Sequence, residues 1–103
     1  MLDQLVNGHV FACTNRTEEE SFKRLLFGTN KVYAPGAMRV KQGDFLFLLN
    51  LDSDLLHGIF RAASHAQVNI EPEAWGGRYP YQVRVEPIGE IVSLKNAKKK
   101  DEE

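Results

Sequence analysis

The chain has a single cysteine, Cys13, so no internal disulfide can form, and its cysteine usage suits a reducing compartment. It has no apolar run near the ~18 residues that a membrane-spanning helix needs. The start, Met1-Leu2-Asp3-Gln4, lacks the basic segment and long apolar stretch of a secretory signal. These absences predict a cytoplasmic, or else nuclear, location and no membrane contact. Excess charge is missing too: the formal net charge is −1, against the many Lys and Arg contacts that tight nonspecific binding along a polyanion requires. One local absence is sharper. From Ser21 to Gly43 no acidic residue occurs, while Lys23, Arg24, Lys31, Arg39 and Lys41 do. That stretch is either a solvated surface or a rim that faces phosphate.

What is present suits one domain. At 103 residues with 43% apolar content, the chain can bury one modest core. His9-Val10-Phe11-Ala12-Cys13 reads as a first strand. Thr17-Glu18-Glu19-Glu20 has the capping-box pattern, with Lys23 and Arg24 toward the far end of the dipole. Phe22, Leu25 and Leu26 share a face, and Gly28 is a stop signal, so a helix is expected over 18–27. Residues 29–43 read as a long loop, functional or hiding a short helix.

Phe45-Leu46-Phe47-Leu48-Leu49 is a continuous apolar strand, expected to be central and buried on both faces. The Asn50–Asp54 turn and the Leu55–Ala62 segment complete a hairpin. Gln67 to Ile70 suggests a short strand. From Pro80 to Glu86 the pattern alternates, with Tyr81, Val83 and Val85 on one face and Gln82, Arg84 and Glu86 on the other. A last strand runs from Ile88 to Leu94, with Gly89 as a bulge. Residues 1–7 are read as a leader, 8–95 as the domain and 96–103 as a disordered charged tail. A strand-rich, mainly antiparallel sheet with one helix must cover or close its edges, which a small barrel achieves.

Several segments, in order, resemble the DCD (development and cell death) domain. They are Phe11-Ala12-Cys13-Thr14-Asn15, Leu26-Phe27-Gly28, Phe45-Leu46-Phe47-Leu48, Leu56-His57-Gly58-Ile59-Phe60, Asn69-Ile70-Glu71-Pro72-Glu73-Ala74-Trp75 and Tyr79-Pro80-Tyr81-Gln82-Val83. The match spans about residues 8–94. Where the family continues Phe-Gly with Leu-Pro, this chain has Thr29 and Asn30. The resemblance implies an α+β fold, a small PUA-like β-barrel, mainly antiparallel, with one or two short helices. PUA-like modules include the YTH and EVE domains, which hold RNA or a modified base in an aromatic pocket. Phe27-Gly28-Thr29 falls where YTH modules carry a Trp-containing segment, and Trp75 with Gly77-Arg78-Tyr79 lies near their second Trp.

The candidate site residues follow from this pattern and from side-chain chemistry. Trp75, Phe27 and Tyr81 offer stacking surface, although Trp75 and Phe27 also suit a core. Thr14, Asn15, Thr29 and Asn50 carry groups that read polar edges, although local capping and turn chemistry also explain Asn15 and Asn50. Arg78, Arg84 and Lys31 suit phosphate, and either arginine also suits a carboxylate partner.

Catalysis finds little support. Along a strand His9 and Cys13 lie over ~13 Å apart. No zinc spacing and no Gly-rich phosphate loop occurs, and Glu71 with Glu73 is a weak acid pair. The expectation is a noncatalytic module without a cofactor that binds RNA or a modified nucleotide. The alternative is a protein–protein adaptor that uses the Trp75–Tyr81 loop as a hot spot.

Overall fold

The structure, a computed structural model, describes residues 8–96. The predicted leader and charged tail therefore lie outside the described residues, apart from Asn96. The chain runs β1 (Gly8–Cys13), α1 (Asn15–Arg24), β2 (Leu26–Thr29), a 3-10 turn (Lys31–Tyr33), α2 (Ala34–Ala37), β3 (Phe45–Asn50) and β4 (Leu55–Ala62). It continues through β5 (Gln67–Val68), a second 3-10 turn (Ala74–Gly77) and β6 (Tyr81–Lys95).

The strands form one sheet in the order β1-β3-β4-β6-β2, with β5 added on β6. Strands β1 and β2, the two ends of that order, lie beside each other, so the sheet curls into a nearly closed barrel. Among the described residues only β1 and β3 pair in parallel, from Gly8 opposite Phe45 to Cys13 opposite Asn50; the other ladders are antiparallel. The expected α+β barrel with short helices is the observed fold.

Inside the barrel, Phe11, Phe27, Leu46, Leu48, Phe60, Val83 and Val85 form the main core. The Phe27 and Phe60 rings meet edge to face at 4.9 Å, a favoured aromatic geometry. A second, smaller cluster of Leu26, Ala74 and Trp75, with Ile70 and Tyr79 against it, lies outside the barrel wall. Strand β2 separates the two cores because successive side chains point to opposite faces. Phe27 goes inward, while Leu26 and Gly28 face the Trp75 loop.

Four sequence expectations are corrected. The helix begins and ends three residues earlier than expected. Its N-cap is Thr14, whose N–H donates to Thr17 Oγ1 at 3.0 Å, and the Asp52 carboxylate accepts from Asn15 N–H at 2.8 Å. Leu25 at φ 52° ends it, so no glycine is needed there, and Leu26–Thr29 are claimed instead by pairing with β6.

The 29–43 loop does hide a short helix, one of its two expected readings: it contains a 3-10 turn and α2, and Asn30 starts the turn by accepting from Val32 N–H at 3.0 Å. Strand β3 is buried on one face only: Leu46, Leu48 and Asn50 are buried, while Phe45, Phe47 and Leu49 are half-buried, because no further layer covers the outer face. Gln82 is buried rather than outward, its amide occupied by Glu71 and Tyr79 backbone groups.

The two predicted C-terminal strands are one continuous β6. The expected irregularity is present. Between the pairs Gly58–Val92 and Phe60–Pro87, β4 advances two residues and β6 five, so β6 bulges around Gly89, which has φ 68°.

Candidate functional site

Residues 69–79 form a loop that folds back onto α1, and a charged network holds it there. Trp75 N–H donates to Glu20 Oε2 at 2.9 Å, and Arg24 Nε donates to the same oxygen at 2.7 Å. Arg24 Nη1 also pairs with Glu71 Oε1, and Arg84 Nη1 donates to Glu71 Oε2 at 2.7 Å and to Arg24 O at 3.3 Å. Arg24 and Arg84 hold the Glu71 carboxyl below its ordinary range. The Trp75 N–H, and then Arg24, do the same for Glu20. Hydrogen bonds to a carboxylate favour its charged form.

This network places Trp75 in an uncommon conformation. Its φ is 51°, followed by Gly76 at 65° and Gly77 at 82°. A left-handed backbone at a bulky residue costs roughly 1–2 kcal/mol and is tolerated where the surroundings impose it. The indole Nε1–H donates to Thr17 O at 3.3 Å, and Tyr79 meets the indole edge to face at 5.8 Å. The benzo ring of the indole packs against Gly28: a Cβ there would lie 2.5 Å from Cζ3 of Trp75 and 2.9 Å from Tyr79 O. Glycine at 28 is therefore what lets the ring approach β2.

Beside the indole lies a cleft of about 150 Å³. Cavities of about this volume hold a single flat ring such as benzene. Trp75, Tyr79 and Leu48 supply carbon surface, while Thr14, Thr17 and Thr29 bring hydroxyls. Arg16 and Arg78 line a neighbouring, more open cleft of about 260 Å³, which shares Thr17 and Trp75 with the first and adds Glu20 and Gly76. Among the described residues no three His, Cys, Asp or Glu side chains group to hold a metal ion. Cys13 lines the first cleft, but burial, reinforced by Glu18 and Asp52, pushes its thiol up to about 12. At neutral pH it is a protonated thiol rather than a nucleophile.

The candidate residues divide clearly. Thr14, Thr29 and Trp75 line the ring-sized cleft, and Arg78 lines the neighbouring one. Lys31 is exposed on the 3-10 turn.

Five candidates stand elsewhere. Phe27 is 0% exposed in the barrel core and has no face for a ligand; strand alternation points Gly28, not Phe27, at the cleft. Asn50 is also 0% exposed. Its Oδ1 accepts from Asp52 and Ser53 N–H at 2.8 and 3.0 Å, and its Nδ2 donates to Asn15 Oδ1 at 3.0 Å. Both asparagines thus shape the hairpin turn and the helix start. Tyr81 sits opposite Thr29 in the β2–β6 ladder, and Tyr79 takes the cleft position. Arg84 is committed to Glu71.

Arg16, Tyr33, Leu51 and Tyr79 were missed. Of these only Tyr79 carried a signal, its proximity to Trp75 and the two glycines. The others reach the cleft through folding of distant segments.

Comparison with known proteins supports one assignment. The profile of the Development and cell death domain family matches residues 7–102. The DCD domain-containing protein NRP-B of Glycine max is 41% identical over 90 residues, which are 81% of this chain and 27% of that protein. The B2 protein of Daucus carota is 40% identical over 90 residues, 81% of this chain and 44% of that protein. The chain thus spans less than half the length of these relatives.

Among solved structures, the YTH domain of Zygosaccharomyces rouxii MRB1, in complex with N6-methyladenosine RNA, superposes with a TM-score of 0.68 at 18% identity. The match covers 94% of this chain and 66% of that one. The Pho92 YTH domain, in complex with m6A, gives 0.67 at 15% identity, over 93% and 63%. At such identities the likeness is one of fold. With the family profile covering nearly its whole length, the chain belongs to the development and cell death domain family.

Proposed function

We propose that this domain is a noncatalytic reader of RNA or of a modified nucleotide, taking one base into the cleft beside Trp75. The observation that carries the reading is the geometry of that cleft. A pinned indole and Tyr79 wall a space sized for one flat ring, with threonine hydroxyls at its edge. Base stacking on an aromatic contributes about 1–3 kcal/mol per base and is tolerant of base identity. The threonine hydroxyls and the shape of the slot then select among bases. Arg16 and Arg78, which line the neighbouring cleft, would meet the phosphate of the same nucleotide. The protonated Cys13 thiol suits a site that binds without reacting. The fold shared with YTH domains, two of them solved with N6-methyladenosine ligands, supports the same reading.

Trp75 is the sole tryptophan, so its fluorescence reports on the cleft directly. Titration with the four nucleosides, N6-methyladenosine and short RNAs is expected to give saturable quenching by at least one of them. Trp75→Phe, which keeps an apolar ring, is expected to weaken that binding about tenfold by calorimetry with the fold retained. A folded protein whose fluorescence responds to none of these ligands would remove the base-reader reading. An adaptor that uses the same loop for a protein partner would then take its place.

A further inference from the structure

The cleft beside Trp75 does not end at its own rim. Ala12, Thr29, Tyr33 and Leu51 wall it on one side and at the same time open a second, wider groove of about 460 Å³. This groove runs between β1 and α2, past Val10, Phe11 and Gly36. Tyr33 stands at the junction. It is 66% exposed, and among the described residues it packs against no other aromatic ring. Its backbone is nonetheless fixed, because Asn30 caps the turn that carries it.

The segment that carries Tyr33 and Gly36 to the groove has charge of one sign. Between Thr29 and Gly43 the chain carries Lys31, Arg39 and Lys41 and no acid. All three cations are exposed. The first acid that follows, Asp44, is buried and occupied, accepting from Lys41 N–H at 2.9 Å and bonding His9 Nε2 at 3.0 Å. An exposed ring on a fixed turn, in an exposed segment whose charges are all cationic, suits a single nucleic-acid strand: the ring stacks a base and the cations meet its phosphates. An apolar protein segment would cover the groove but leave three cations unmatched.

We propose that this groove is a second nucleotide subsite. The ligand is then a single-stranded RNA segment of at least two nucleotides, not a free nucleotide. Its path runs from Arg16 and Arg78, past the base in the Trp75 cleft, to a neighbouring base on Tyr33. This inference rests on the base-reader reading and extends it.

Gly36 separates the two sites experimentally. It lines only the second groove, and a Cβ there meets nothing within 4 Å, so a side chain fits without distortion. The probes are the nucleoside that gives the strongest Trp75 response and the same nucleoside flanked by uridines in a trinucleotide. The trinucleotide is expected to bind at least about tenfold more tightly. Gly36→Glu, which puts a carboxylate in the groove, is expected to abolish that gain and leave nucleoside binding unchanged. Equal binding of the two probes would overturn the second subsite while the base cleft stands. A gain that survives Gly36→Glu would overturn it too, placing the extra contacts elsewhere. If neither probe binds, the base-reader reading falls and the second subsite falls with it.

Discussion

At the scale of single residues, the site depends on one missing side chain. Gly28 carries no Cβ, and Trp75 lies in the space a Cβ would fill, 2.5 Å from its ring. The other obstacle, Tyr79 O at 2.9 Å, is backbone and does not swing away. Gly28→Ala is therefore expected to push the indole outward. Overpacking of this kind typically costs 1–3 kcal/mol. Urea unfolding should show that loss, and acrylamide quenching should show a more accessible Trp75. An unchanged quenching constant would mean that the indole does not rest on Gly28. The same pair shows what was legible in the sequence. Trp75 followed by two glycines marked a loop where a ring is presented closely. Phe27 beside Gly28 suited either a second ring or the core; a strand alternates its faces, and one residue decided which of the two reached the site.

At the scale of elements, the 69–79 loop is held to α1 mostly by charge. Glu20 and Glu71 join Arg24, Arg84 and the Trp75 N–H in one network. Both carboxyls are held below their ordinary value of 4.5. For a carboxylate lowered in the folded state, the stabilisation is complete above the ordinary value. It is lost as pH falls through the folded value, because there the unfolded chain binds more protons. The network should thus stay constant from neutral pH to about 4.5 and weaken below it. Trp75 emission followed from pH 7 to pH 3 is expected to change in that acidic window before the far-ultraviolet circular dichroism does. In Glu71→Gln, the part of this change that depends on Glu71 should disappear. A profile identical in the two proteins would mean that Glu71 does not anchor the loop. Sequence reading paired none of these residues, since Arg24 and Glu71 are separated by 47 positions.

At the scale of the whole molecule, a net charge of −1 sets a limit on how the proposed reader would bind RNA. Bulk attraction to a polyanion is absent, so affinity has to come from the shaped cleft and a few placed cations. The logarithm of the binding constant for single-stranded RNA falls with the logarithm of salt concentration with a slope of about −0.7 per phosphate contact. For a ligand that fills only the Trp75 cleft, with Arg16 and Arg78 meeting phosphate, the slope is expected near −1.4, and it steepens by about 0.7 for each of Lys31, Arg39 and Lys41 that meets phosphate in a longer strand. Arg78→Ala should reduce it by about 0.7 and leave the melting temperature unchanged. A slope unaffected by this change would take Arg78 out of the contact.

The sequence by itself determined the barrel: its strand patterns, turn chemistry and apolar periodicity are local, and they match the family across the chain. It also marked Trp75, Thr14, Thr29 and Arg78, which reach the clefts from segments whose local structure was readable. The tertiary structure decided the rest. Whether Arg84 meets a phosphate or Glu71, whether Asn50 reads a base or closes a turn, and whether Phe27 or Gly28 faces the cleft all depend on which distant segment arrives beside them. Such contacts are set by strand register and by which loops meet across the barrel, which no local pattern encodes.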